Sequence, residues 1–183
     1  MNIFAIRLKP DEDLRQSLGQ FVQQNNIQAG FILTAVGSLK QATLRFASQN
    51  YSQVFKQQFE IVSLVGTLST HGLHIHISLS DRHGKTLGGH LLEGCIIYTT
   101  AEIIIGTSDD LVFFRTVDES TGYKELDIQP KNPSLNWGLV GGISRNRIIR
   151  VLAKGEFTSS YKFPLNPSNL RESFLIPPHK GEG

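Results

Sequence analysis

His74, His76 and His90 are the residues of this chain whose type and spacing suit metal ligation. The first two lie in Leu73-His74-Ile75-His76-Ile77-Ser78-Leu79-Ser80, where apolar and polar residues alternate. Side chains alternate across a strand, so His74, His76, Ser78 and Ser80 share one face while Leu73, Ile75, Ile77 and Leu79 share the other. A polar loop follows, Asp81-Arg82-His83-Gly84-Lys85, in which Gly84 can supply the positive φ of a hairpin loop, and then Gly88-Gly89-His90-Leu91. A hairpin centred on His83 places His90 opposite His76. Directly opposed side chains have Cβ atoms roughly 4.5–5.5 Å apart, so the three imidazoles form a triangle on one face. Three neutral ring nitrogens with a fourth position open make a transition-metal ligand set. A His-x-His pair alone also serves as a hydrogen-bonded surface feature, and a one-residue slip of register would send His90 to the opposite face.

The other chemistry-bearing residues are less organised. His71 precedes the strand, His83 sits at the turn tip and His179 lies in a Pro- and Gly-rich terminus, so none shares the alternation. Ser78 and Ser80 share the histidine face, but no Gly-x-Ser-x-Gly elbow accompanies them. Gly88-Gly89 is not a phosphate loop, because no Gly-Lys-Ser/Thr helix start follows. Arg7, Glu60 and Glu102 fall on predicted strands and would border the histidine face in an oligomer. Cys95 is the one cysteine, which excludes an intrachain disulfide and suits a small buried side chain in a reducing compartment.

Positioning these residues takes a predominantly β scaffold. An opening strand over residues 2–9 leads into acidic Asp11-Glu12-Asp13, and Leu14, Leu18, Phe21 and Val22 recur at helical spacing, predicting an amphipathic helix over 11–25 that covers a sheet. Strands are predicted over 29–36 and 42–47 with a turn at Gly37-Ser38, then over 59–65, the histidine hairpin with a return arm running towards Cys95, 96–105, 111–117 and 123–128. Short connections between strands point to a largely antiparallel α+β fold, a sheet of about seven strands with a covering N-terminal helix. The 183 residues suit one domain over 1–130 and an extension over 131–183.

Charge divides at the same boundary. Residues 1–130 carry net −3 and residues 131–183 carry net +5, with Arg145, Arg147, Arg150 and Lys154 closely spaced. Attraction to nucleic acid or another polyanion is therefore expected of the extension. Trp137, Ile148, Ile149, Val151 and Leu152 give it apolar groups to dock, while 175–183 reads as a disordered end. Met1 to Arg7 lacks the pattern of a signal peptide and no apolar run reaches membrane-spanning length, so a cytoplasmic protein with no membrane partner is expected.

Several of these segments together resemble the plant-and-prokaryote-conserved (PPC) domain in its bacterial and archaeal form. They are Arg7 before the acidic helix start, Gly37-Ser38-Leu39, Phe59-Glu60-Ile61-Val62-Ser63-Leu64-Val65-Gly66, the histidine strand, Gly84, Gly88-Gly89-His90-Leu91 and Ala101-Glu102-Ile103. The resemblance covers about residues 3–129 and implies a compact unit with an antiparallel sheet, assembled as a homotrimer. In plants a similar domain follows AT-hook motifs in DNA-binding proteins; no Arg-Gly-Arg core flanked by prolines occurs here. The fold is also distantly similar to that of acetolactate decarboxylase, a zinc enzyme with a His-x-His pair and a later third histidine, a pattern that His74, His76 and His90 match with different spacing. Three imidazoles suit Zn²⁺ and other divalent transition ions alike.

Three functions stay open at the level of sequence. The first is a regulatory or DNA-associated PPC protein that carries a metal. The second is a metal-dependent enzyme acting on a small carbonyl or carboxylate compound, for which no catalytic residue can be aligned. The third is a trimeric scaffold that binds proteins and uses its metal as a structural clamp.

Overall fold

The computed structural model describes residues 1–132. The predicted extension, with Arg145, Arg147, Arg150 and Lys154, lies almost wholly outside the described residues. Nine strands and one helix follow one another among the described residues: β1 Asn2–Leu8, α1 Leu14–Gln24, β2 Gly30–Arg45, β3 Gln53–Phe55, β4 Phe59–Ser69, β5 Gly72–Asp81, β6 Thr86–Leu91, β7 Ile96–Thr107, β8 Leu111–Val117 and β9 Lys124–Pro130. Seven strands form one sheet in the order β1-β7-β2-β4-β5-β6, with β3 paired to β2. Its pairings are antiparallel. β6 also pairs with β2, which closes β2, β4, β5 and β6 into a ring.

The core lies on one face of this sheet. Ile32, Leu39, Leu64, Leu68, Ile75, Ile77, Leu79, Ile97, Ile103 and Ile105 are buried there, and α1 covers them with Leu14, Leu18 and Val22, all three fully buried. Each such side chain stabilises the fold by about 1.5–3 kcal/mol relative to an exposed one. The helix starts later than its acidic residues suggest, because Asp13 is its cap: its carboxylate accepts hydrogen bonds from Arg15 N and Gln16 N. Asp11 sits outside the helix at φ 73°.

Three sequence expectations are corrected. Residues 29–36 and 42–47 are not two strands about a turn at Gly37-Ser38; they belong to the single long β2. Its pairing with β7 shifts register between Ile32 and Thr34, between Gly37 and Leu39, and between Leu39 and Gln41, so Gly37-Ser38 bends the strand at a bulge without reversing it. Ser38 points into the structure, with its Oγ 2.7 Å from Thr99 Oγ1, where a turn residue would face solvent. The return arm of the hairpin stops at Leu91, because Gly94 N is tied to the Asp13 carboxylate and the chain turns there onto the helix cap. β3 was not anticipated, since three residues carry no readable period. β8 and β9 form a separate hairpin with a small cluster of its own, made by Ala29, Leu111 and Phe113 with Leu126 and Ile128 packed against it.

Candidate metal centre

The β5–β6 hairpin has the register of a hairpin centred on His83. His76 faces His90, Ser78 faces Gly88 and Ser80 faces Thr86. The loop is fixed by Asp81, whose Oδ1 accepts from His83 N and Lys85 N at 2.9 Å, and by Gly84 at φ 79°. Those same backbone donors, that of His83 foremost, lower the Asp81 carboxyl below the usual range.

His74, His76 and His90 meet on the open face of the sheet. His76 Nε2 lies 3.1 Å from His90 Nδ1. The His74 and His90 rings are nearly parallel with centroids 5.3 Å apart, and His76 stands edge-on to both, at 5.0 Å from His74 and 4.3 Å from His90. One nitrogen from each ring can be chosen so that all three lie within 4.8 Å of one another. Tetrahedral Zn–N bonds of about 2.0–2.1 Å would place ligand nitrogens roughly 3.3 Å apart. The His76–His90 pair has nearly that separation, and a His74 nitrogen lies within 4.8 Å of both. The donor set therefore fits a divalent transition ion, and His76 is exposed while His74 and His90 are half-buried.

Electrostatics favours the neutral, ligating form of two of these rings. His90 is lowered to about 4, first by burial, then by Arg45 and by the other two histidines. His74 is lowered by burial and then by Arg115 and His76, with Glu125 acting in the opposite direction. In the unfolded chain these rings bind protons near their ordinary value of 6.5, so between about pH 6.5 and pH 4 the unfolded state holds more protons than the folded one. Metal-free protein is thus expected to keep the stability it gains from these neutral rings above pH 6.5 and to lose it as the pH falls towards 4. Urea midpoints at pH 7 and pH 5 measure this, and His90→Asn should flatten the dependence.

The other residues singled out in the sequence stand apart. Arg7 and Glu102 face each other across β1 and β7 on the histidine side of the sheet, but β7 lies three strand spacings from β5, roughly 14 Å. Glu60 is opposite Ser80, four residues along β5 from His76, roughly 13 Å. Within one chain none of the three reaches the imidazoles. The His71 ring lies 4.4 Å from that of Phe114, and His83 accepts a hydrogen bond from Arg82 at the turn. Cys95 is fully buried, its thiol pushed up to about 11 by desolvation, which makes it an inert core residue. The residues that sequence reasoning missed are Arg45, directly opposite His90 in the β2–β6 ladder, and Arg115 on β8. Arg45 ends β2, beyond the register shifts that bend the strand.

Comparison with known proteins follows the same segments. The bifunctional protein GlmU of a Synechococcus strain is 48% identical over 130 residues, which are 71% of this chain and 21% of that protein. The chain thus spans about a fifth of the length of the curated relatives it matches. A hypothetical protein from Salmonella enterica is 39% identical, with a TM-score of 0.71 over 72% of this chain and 95% of that one. A candidate DNA-binding protein from Bacteroides thetaiotaomicron is 25% identical, with a TM-score of 0.63 over 69% of this chain and 91% of that one. A metal-containing protein from Archaeoglobus fulgidus is also 25% identical, with a TM-score of 0.60 over 69% and 93%. The sequence model of the Plants and Prokaryotes Conserved (PCC, or PPC) domain matches residues 1–109, which include the bent β2, the helix cap and all three histidines. The chain belongs to the Plants and Prokaryotes Conserved domain family.

Proposed function

We propose that this protein is a self-assembling PCC-domain protein that holds Zn²⁺ or another divalent transition ion through His74, His76 and His90. The observation that carries this reading is the approach of three imidazole nitrogens to within 4.8 Å on one hairpin. The metal-containing relative from Archaeoglobus fulgidus supports it. A bound ion with an open position would act as a Lewis acid on a carbonyl or carboxylate oxygen. The test is the metal content of the purified protein by plasma mass spectrometry, against a variant with all three histidines changed to alanine. About one ion per chain, absent from the variant, supports the site; a wild type still metal-free after reconstitution overturns it.

Assembly as a homotrimer, which the family resemblance implies, belongs to the same proposal. The sheet face that carries the histidines also exposes apolar residues that a monomer would keep in water. Val36 is 56% exposed and Val65 53%, and Val65 lies directly opposite His76. Val36→Asp/Val65→Asp is expected to lower the assembly to monomers in sedimentation velocity while keeping the far-UV spectrum. An unchanged sedimentation coefficient would place the contact elsewhere.

A regulatory, DNA-associated role is the second reading. It draws support from the candidate DNA-binding relative and from the net +5 of residues 131–183. Duplex binding that weakens with salt and disappears on removal of residues 131–183 supports it. No helix among the described residues is long and apolar enough to cross a membrane.

A further inference from the structure

His74 and His90 also line a cleft of about 780 Å³ between the β5–β6 hairpin, residues 47–50 and the β8–β9 hairpin. Its walls are unusually cationic. Arg15, Arg45, Arg115 and Lys124 line it against the one carboxylate of Glu125, while His74 and His90 form part of its edge. The three arginines are half-buried, and among the described residues none of them pairs with a carboxylate. Their only hydrogen bonds there run to main-chain oxygens: Arg15 donates to Leu91 O at 3.3 Å, Arg45 to Gln49 O at 3.4 Å, and Arg115 to Lys124 O. A guanidinium offers five N–H donors in a planar fork. Three such forks, each with most of its donors unused and partly removed from water, are costly to hold together unless an anion joins them.

We propose that this cleft binds a small oxoanion, with Arg45 and Arg115 as the groups that clamp it beside the histidine cluster. The shared chemistry is a carboxylate or phosphate group, which accepts two parallel N–H donors from one guanidinium. Arg45 stands opposite His90 and Arg115 acts on His74 across the same cleft, so an anion held by both would lie beside those two imidazoles. The volume is in the range of small-molecule sites, about 300–1,000 Å³. Tyr123, exposed at the rim, and Glu125 supply the hydroxyl and the carboxylate that would select among anions by their other substituents. This inference deepens the metal reading by naming the ligand class of the same site, yet the clamp is made by arginines and does not need the ion.

The test is calorimetric titration of the full-length protein with malonate and, separately, with inorganic phosphate, in about 0.15 M chloride to screen non-specific attraction. Both titrations are run on metal-free and on Zn²⁺-loaded protein. Binding to wild type, weakened at least tenfold in Arg45→Gln and in Arg115→Gln and partly restored in Arg115→Lys, is the expected result. Preference for malonate assigns a carboxylate ligand, and preference for phosphate a phosphate one. Unfolding midpoints of the variants separate loss of the clamp from loss of the fold. If neither anion binds in either metal state, or if binding is the same in folded Gln variants, the proposal is overturned. If wild type takes up no metal but still binds an anion through the two arginines, the metal reading fails and this one stands.

Discussion

Gly37→Ala is expected to destabilise the fold by about 4 kcal/mol, a large part of the 5–15 kcal/mol that holds an average domain together. Gly37 has φ 148°, a conformation that side chains rarely adopt. A Cβ there would lie 2.7 Å from Ala101 Cα and closer still to Thr100 O. Those atoms belong to β7, which runs between β1 and β2 and whose Ala101 is fully buried, so relief requires prising β2 from β7. Gly84→Ala is the matched control. It also has a positive φ, 79°, but nothing lies within 4 Å of the added carbon, so only the backbone term of about 1–2 kcal/mol applies. Urea unfolding of the two variants beside wild type decides the matter. Equal, small shifts would mean that the bulge at Gly37 relaxes without disturbing the ladder.

The same glycine marks where the sequence could be read and where it could not. The β5–β6 hairpin was legible because two local signals agreed, the alternation of Leu73 to Ser80 and a five-residue polar loop with Gly84 near its end. Together they suit a hairpin centred on His83, and the β5–β6 ladder has that register, with His76 facing His90. Gly37-Ser38 was misread because a Gly-Ser step has the same composition in a turn as in a bulge. The choice is made by β7, about sixty residues on, whose Thr99 bonds Ser38 and whose Thr100 and Ala101 crowd Gly37. Once β2 continues through the bulge, its far end reaches β6 and sets Arg45 opposite His90. Arg115 arrives through the packing of a second hairpin, which local periodicity does not report. The histidine cluster was therefore readable from a single hairpin, whereas its cationic surroundings depend on contacts between distant strands.

That division makes the metal prediction the sharper one. His76→Ala is expected to weaken Zn²⁺ binding by more than a hundredfold, since loss of an outer-shell partner alone typically costs 10–100-fold and this removes a ligand outright. His74→Ala and His90→Ala should do the same, because a triangle reduced to two nitrogens leaves two positions to water. The fold should survive His76→Ala: the side chain is exposed, and its hydrogen bond to His90 Nδ1 is with another partly exposed ring. His71→Ala and His83→Ala are the controls, one against Phe114 and the other at the turn tip beside Arg82, and both should bind as wild type does. Competition against a chromophoric chelator gives the affinities. Thermal unfolding gives an independent reading, because an ion present at about 100 times its Kd stabilises the folded chain by about 2.7 kcal/mol, and that increment should vanish in the three ligand variants and persist in the two controls. Equal losses across all five substitutions would mean diffuse binding to surface histidines, and the hairpin triangle would then be no more than a hydrogen-bonded cluster.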